Sequence, residues 1–413
     1  MQIKILGGAI LLSLATSTAL FATNGDTLIG VGAKTRAMGG AGIAYSHGAE
    51  STLVNPALIT HVDETEISFG GTIFMPDVRT RAHGLFPTSG GWVPFDSGMV
   101  DSDADVSVIP AVAIVSQVRE NLYIGAGMWG TAGMGVDYRG TRKLMDMETN
   151  LQLMQFAVPI AYRFENLSVG ISPILQYGSL DIHYQNPFDN FTSVGDGQNQ
   201  DFGFGVSLGA VYHFDSGFNI GAMYKSEVEM SYGKSLSTAT APFKVMPGFP
   251  DIGDTLTQPA EYGIGLGYRF GPHGIALDWK RIAWGSAEGY EQFGWTDQDV
   301  FAIGYEYSAA TWSMRVGYNH ATNPLTIYNA SASEPGKAAL DMFNLLGFPA
   351  TAEDHLTAGG TYLFNKNFSA DFTVVYALDS KESADISALF QPGAEIENEH
   401  SELGMTIQLN YTF

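Results

Sequence analysis

The chain has 413 residues, 49 glycines and no cysteine, carries a formal charge of −23 with 15% charged residues, and has a mean hydropathy of +0.03. Such a length allows two or three soluble domains, but no Pro/Ser-rich linker or shift in composition divides the chain, so one large β architecture is also allowed. The lack of cysteine excludes disulfides, thiolate chemistry and a cysteine-based zinc site, and the acidic balance excludes the basic footprint that nucleic-acid binding needs.

From the N-terminus, Met1 to Lys4 is a short basic region, Ile5 to Ala15 an apolar run and Thr16 to Ala22 a small-residue stretch. Residues 1–22 are therefore predicted to be a cleaved signal peptide, cut after Ala22, with cleavage after Ala19 as the alternative. No later segment reaches the roughly 18 apolar residues of a membrane helix. Residues 23–62 are glycine-rich and lack a period of two. Within them "STLVNPALI" sets apolar residues around an Asn-Pro turn, which predicts a segment folded into a lumen rather than dangling.

Residues 63–413 are strands. "YRF" at Tyr162–Phe164 and Tyr268–Phe270, "YHF" at Tyr212, "YEY" at Tyr305, "YLF" at Tyr362 and the terminal "YTF" each end an alternating segment. The internal triplets are followed by short Gly/Asn/Asp/Pro turns from Glu165, Asp215, Gly271, Ser308 and Asn365, each leading into another strand. At the other ends the connections are long: 77–105, 135–150, 185–200, 236–257, 286–298, 323–352 and 381–400. Short turns at one end, long loops at the other and aromatics at the strand ends predict an all-β fold, a transmembrane antiparallel β-barrel of about 14 strands. In "MTIQLNYTF" the apolar parity (Met405, Ile407, Leu409, Tyr411, Phe413) faces lipid. The other parity is rich in glycine elsewhere (Gly203, Gly205, Gly209; Gly263, Gly265, Gly267), as suits a crowded interior.

"RAMGGAGIAYSHGAESTLVNPALIT", with "QPAEYGIGLGYRF", "ALDWKRIAW", "FGWTDQDVFAIGYEY" and "FPATAEDHLTAGGTYLF", resembles the outer-membrane long-chain fatty acid transporter family (FadL/TodX type) over nearly the whole mature chain. The resemblance implies a barrel with an N-terminal hatch, passive uptake of hydrophobic molecules, and lateral release through a gap at a kinked third strand. It marks Asn55, Pro56 and Ala57 as the hatch turn.

The third strand, from Asn121, contains Gly125, Gly127 and Gly130, where a kink is cheapest because glycine weakens strand pairing. The hatch turn is expected to pack against it, with cargo resting beside Leu28 and Trp129. By parity Arg163, Lys225, Arg269, Asp278, Glu306, Arg315, Asp371 and Glu402 face the lumen. Arg163 and Arg269 lie near the short turns, where pairing with inward acids closes the bottom. Lys225 and Arg315 are read as lying higher, either paired with acids or holding a fatty acid carboxylate. The sixth long loop, "SEPGKAALDMFNLLGF", predicts a helix with Leu340, Phe343 and Leu346 on an apolar face, in place of the greasy third and fourth loops that the family uses for capture. The seventh, from Asp379 to Glu402, has seven acids and one lysine.

Fatty acid is the expected cargo, with aromatic or aliphatic hydrocarbon as the alternative. An outer-membrane enzyme such as a phospholipase would need converging catalytic groups. Ser207 and His213 share the inward parity but lie six residues apart on one strand, too far to touch. The glycine-lined wall and hatch also argue against an open porin. No metal or cofactor is expected. The expected partners are cargo, outer-membrane lipid and lipopolysaccharide around a monomer.

Overall fold

The computed structural model describes residues 23–88 and 91–413, so the predicted signal peptide lies outside the described residues. Fourteen strands form the barrel wall. They are β1 (Glu66–Thr88), β2 (Ser107–Arg119), β3 (Leu122–Asp137), β4 (Glu148–Ala157 and Ile160–Phe164) and β5 (Leu167–Asn186). They continue as β6 (Asn199–His213), β7 (Phe218–Lys225), β8 (Glu261–Phe270), β9 (His273–Ile282) and β10 (Gln298–Ser308). The last four are β11 (Trp312–Ala321), β12 (Asp354–Leu363), β13 (Phe368–Asp385) and β14 (Glu395–Thr412). Each pairs antiparallel with its chain neighbour, and β14 closes on β1 from Glu395↔His83 to Thr412↔Glu66. Closure of β14 on β1 pairs the first strand with the last, as strands in hydrocarbon require.

The period-two pattern sorts the wall as expected. Phe69, Ile73, Ile264, Leu266, Ile303, Phe372 and Ile407 stand exposed on the outside. At the short-turn end the paired aromatics meet at an angle or edge to face, with ring centroids 4.5 Å apart for Tyr162–Phe164 and 4.9 Å for Tyr411–Phe413. Their amphipathic rings suit the membrane–water boundary.

Two expected loops are largely strand. β1 runs on to Thr88 and pairs with Gly91–Asp96, while β13 and β14 extend past the apolar belt to Asp385 and Glu395. This taller wall also rearranges the acidic seventh loop. Glu399 meets Arg79 (2.9 Å) and Lys381 (2.5 Å), and Glu397 meets Arg81 (3.4 Å), so much of its charge is paired across strands.

Residues from Thr23 to Val62 fill the lumen as a hatch of short elements. Its backbone runs so close to the wall that a Cβ at Gly209, Gly221, Gly267 or Gly317 would overlap Asn55, Ile43, Ala44 or Met38 and Gly39. The inward glycines are thus the contact line between plug and barrel, where any side chain would push the two apart.

Candidate functional site

The sheet is discontinuous in one place. β2 and β3 pair from Arg119↔Leu122 up to Ala111↔Trp129, and there their ladder stops. β2 continues toward Ser107 on its ladder with β1. β3 continues to Asp137 on its ladder with β4, with a bulge between Gly130 and Ala132. From Trp129 to Asp137 β3 is buried on both faces, because above the bulge it leans into the lumen. A bulge bends its strand in just this way. The parting is bounded at the loop end, where Asp103 N–H donates to the Asp137 carbonyl (2.9 Å) and Asp137 N–H to Ser102 Oγ (2.9 Å).

Hatch residues occupy the gap. Thr23–Asn24 and Thr27–Leu28 form a small antiparallel pair, and Thr27 pairs with Ala132 on the freed edge of β3. Gly133 N–H donates to the Asp26 carbonyl (2.9 Å). Leu28 and Ile29 pack behind the gap with Phe74, Ala104 and Ile109. The kink therefore sits at Gly130–Ala132. Gly125 and Gly127, expected to form it, remain in register with Val115 and Ala113. A Cβ at Gly127 would overlap the Trp129 ring, so that glycine makes room for the indole.

The hatch turn lies elsewhere than expected. Asn55 Nδ2 donates to the carbonyls of Ile43 (2.7 Å) and Ala222 on β7 (3.3 Å), and its Oδ1 accepts from Ala57 N–H (3.0 Å). Pro56 and Ala57 press on Gly170 of β5, so the turn and the short helix it opens anchor the hatch chiefly to β4, β5, β6 and β7, and touch β3 less. Nearby Thr60 Oγ1 meets Ser168 Oγ (2.7 Å), which meets His213 Nε2 (3.0 Å), whose Nδ1 meets Asn219 Oδ1 (3.0 Å). The order mimics a hydrolase triad, but Ser168 is fully buried under the hatch, and a nucleophile needs substrate access. Here it is a second anchor.

Above the hatch a cavity of about 80 Å³ brings together Leu28, Ile43, Met223, Lys225, Glu261 and Lys280. Lys225 Nζ lies 2.9 Å from one Glu261 oxygen and Lys280 Nζ 2.8 Å from the other. Leu28 and Lys225 thus meet at one site. Trp129 stands aside, packed with Ala157, Ile174, Val31 and Leu53. Arg315, expected higher, lies at the short-turn end, where its Nε meets Glu306 (2.6 Å) and its Nη1 donates to Thr361 (2.8 Å). Glu306 also meets Arg269 (3.1 Å), closing the bottom as parity suggests. Asp278 accepts Gly42 and Ile43 N–H (2.7 and 2.9 Å), and Asp371 accepts from Asn410 (2.6 Å), so both hold structure. Lys280 was missed although it shares the parity of Asp278, and Glu261 although it shares that of Gly263, Gly265 and Arg269.

The loop end is roofed. The helix Pro335–Gly347 buries Leu340, Phe343 and Leu346 together with nearly every other residue, and Phe343 stacks on Phe293 at 5.4 Å. The expected exposed capture face is therefore the core of a cap. Trp284, Tyr290 and Trp295 pack together under it, against Gly25. Asp26 accepts from the Tyr290 hydroxyl and from Gln258 Nε2 (3.0 Å), tying the hatch start to two outer loops. Burial pushes the Asp26 carboxyl up to about 6, against the hydrogen bonds from Tyr290, Gln258 and Thr27 that hold it down.

A closed barrel with a buried plug, a parted wall and a lipid-facing belt defines an outer-membrane channel. The model of the family "Outer membrane protein transport protein (OMPP1/FadL/TodX)" matches residues 9–270, and the chain belongs to that family. It is an outer-membrane transporter of hydrophobic substrates. The long-chain fatty acid transport protein of Escherichia coli K12 is 24% identical over 404 residues, covering 83% of this chain and 84% of that one. A Pseudomonas aeruginosa FadL homologue superposes with a TM-score of 0.71 at 14% identity, over 94% of this chain and 100% of its own. The Pseudomonas putida toluene transporter TodX gives 0.65 at 19%, over 93% and 99%.

Asn55→Ala removes the donor to the buried Ile43 carbonyl, at about 1–3 kcal/mol for a group left unpaired, and a second, part-buried bond to Ala222. The expected outcome is a barrel that assembles normally but leaks small solutes in a liposome-swelling assay; wild-type tightness would show that the other anchors suffice.

Proposed function

We propose that the protein takes up long-chain fatty acids and releases them sideways into the bilayer through the parting between β2 and β3. The observation that carries this reading is the end of the β2–β3 ladder at Ala111 and Trp129, with hatch residue Thr27 at the edge of β3. Backbone groups at membrane depth need partners. A two-residue hatch strand meets that need and costs far less to withdraw than a barrel strand, since a hydrogen bond contributes about 1 kcal/mol net.

The straight path downward suits hydrophobic cargo poorly. Beneath the hatch a space of about 440 Å³ is lined by Lys34, His47, His61, Arg269, Glu306 and Arg315. Apolar chains lose hydrophobic stabilisation there, whereas a sideways exit keeps them among Leu28, Ile29 and Ile109. Recognition of a carboxylate is supported by the cavity, where two ammonium groups, Lys225 and Lys280, share Glu261 beside apolar wall and can each offer a further hydrogen. A neutral hydrocarbon is the second reading, supported by the same contacts, because both lysines already have a partner.

The chain has no cysteine of its own, so a Thr27→Cys, Ala132→Cys pair can be joined without side reactions. Opposed residues of an antiparallel pair are about 5 Å apart at Cα, within disulfide reach. Oxidation is expected to stop uptake of labelled oleate and toluene alike, and reductant to restore it; normal uptake with the tether formed would end the lateral route. A Lys225→Met, Glu261→Gln, Lys280→Met variant removes all three members of the set together, so that none of them is left without its partner. It is expected to lower oleate uptake about tenfold, the loss of one charge-assisted hydrogen bond, and to spare toluene; unchanged oleate uptake would favour the hydrocarbon reading.

A further inference from the structure

The first described residue makes an unusual contact. Thr23 N lies 3.1 Å from Glu402 Oε2, and Thr23 Oγ1 lies 3.5 Å from Oε1. Both residues are almost fully buried, 4% and 2% exposed. Glu402 sits on the inward face of β14, opposite Pro76 of β1 and Ala377 of β13. His400 Nε2 is 3.1 Å from its Oε1 and His355 Nε2 is 3.4 Å from its Oε2. From the hatch, Arg36 lies in the same interior with Nε and Nη2 lacking hydrogen-bond partners, and Glu402 acts on it electrostatically. Beside the cluster the free space is about 10 Å³, room for one water.

A buried carboxylate needs charge and hydrogen bonds to offset its desolvation. A peptide N–H offers one hydrogen and no charge; an α-ammonium offers three hydrogens and a full charge. Cleavage after Ala22 is the first of the two cuts the sequence allows, Ala19 being the other, and Thr23 N is the atom that a cut after Ala22 would turn into an ammonium. The geometry favours the Ala22 cut over the Ala19 alternative, because only the former puts a free amine at this nitrogen.

We propose that removal of the leader after Ala22 creates an α-ammonium on Thr23 that locks onto Glu402, so that processing itself sets the latch of the side opening. Water hydrolyses the Ala22–Thr23 bond, leaving a carboxylate on the leader and the ammonium on Thr23. Glu402 is then a positioning residue. It holds Thr23–Asn24, which pair with Thr27–Leu28, which in turn cover the edge of β3. The latch rests on the lateral reading for its role in transport, but its chemistry stands without it. Opening moves the ammonium away from Glu402, and the Arg36 guanidinium with the imidazoles of His355 and His400 remain facing the carboxylate.

The test uses the full protein purified from outer membranes. N-terminal sequencing is expected to begin at Thr23. An amine-selective acylating reagent at neutral pH, followed by mass spectrometry of the N-terminal peptide, is expected to modify the folded protein at least tenfold more slowly than the denatured one. Glu402→Gln, which keeps the shape and removes the charge, is expected to abolish most of that protection while heat stability of the barrel is retained. A first residue other than Thr23, or equal labelling of folded and denatured wild type, would overturn the latch, and neither measurement needs a variant to fold. Wild-type protection in a folded Glu402→Gln protein would also overturn it. If protection depends on Glu402 yet the Thr27–Ala132 tether leaves uptake unchanged, the latch stands and the lateral route fails.

Discussion

Everything in this molecule answers to one constraint: backbone N–H and C=O groups inside a bilayer must be paired within the protein. Thirteen consecutive strand pairings and the β14–β1 closure meet it around the wall. Between β2 and β3 the wall meets it only part of the way up, and Thr27 and Asp26 of the hatch supply the partners at Ala132 and Gly133. The hatch is therefore more than an obstruction in the lumen. It completes the sheet where the sheet has parted, and its position decides whether the parting is covered.

The remaining contacts divide between holding the hatch down and leaving its first residues movable. Asn55, the Thr60–Ser168–His213 chain and the glycine contact line fix its later part to β5 through β11. The first six described residues depend on fewer bonds, and these reach several parts of the protein: β14 through Glu402, the outer loops through Asp26, and β3 through Ala132. Cargo reaching the cavity beside Leu28 stands next to this segment. On the proposed lateral route, a ligand that displaces Leu28 acts on the cover of its own exit, provided it binds the displaced state better.

Much of this was legible in the sequence because side-chain parity is a strict local signal. Alternation in "MTIQLNYTF" and the recurring aromatic triplets specified strands, the turn end and the lipid face, and inward glycines signalled a filled lumen. Parity reports the face of a residue, not its height or its partner. Arg315 was therefore placed too high, and the Lys225–Glu261–Lys280 set was only one-third visible, since its members lie on three strands. The bulge at Thr131 lies beside Gly130, one of the three glycines expected to kink the strand, whereas Gly125 and Gly127 serve Trp129 and the β2 ladder. The helix Pro335–Gly347 read as amphipathic, yet a neighbouring cap of loops buries its other side too, which no single-segment pattern reveals.

The most direct test of the central claim is to locate cargo during passage. Crystals grown in bicelles and soaked with a terminally brominated fatty acid would show bromine positions by anomalous scattering. The account predicts peaks beside Leu28 and in the parting between Ile109 and Ala132, continuing into the surrounding lipid. Peaks below the hatch, among Lys34, Arg269 and Arg315, would contradict it.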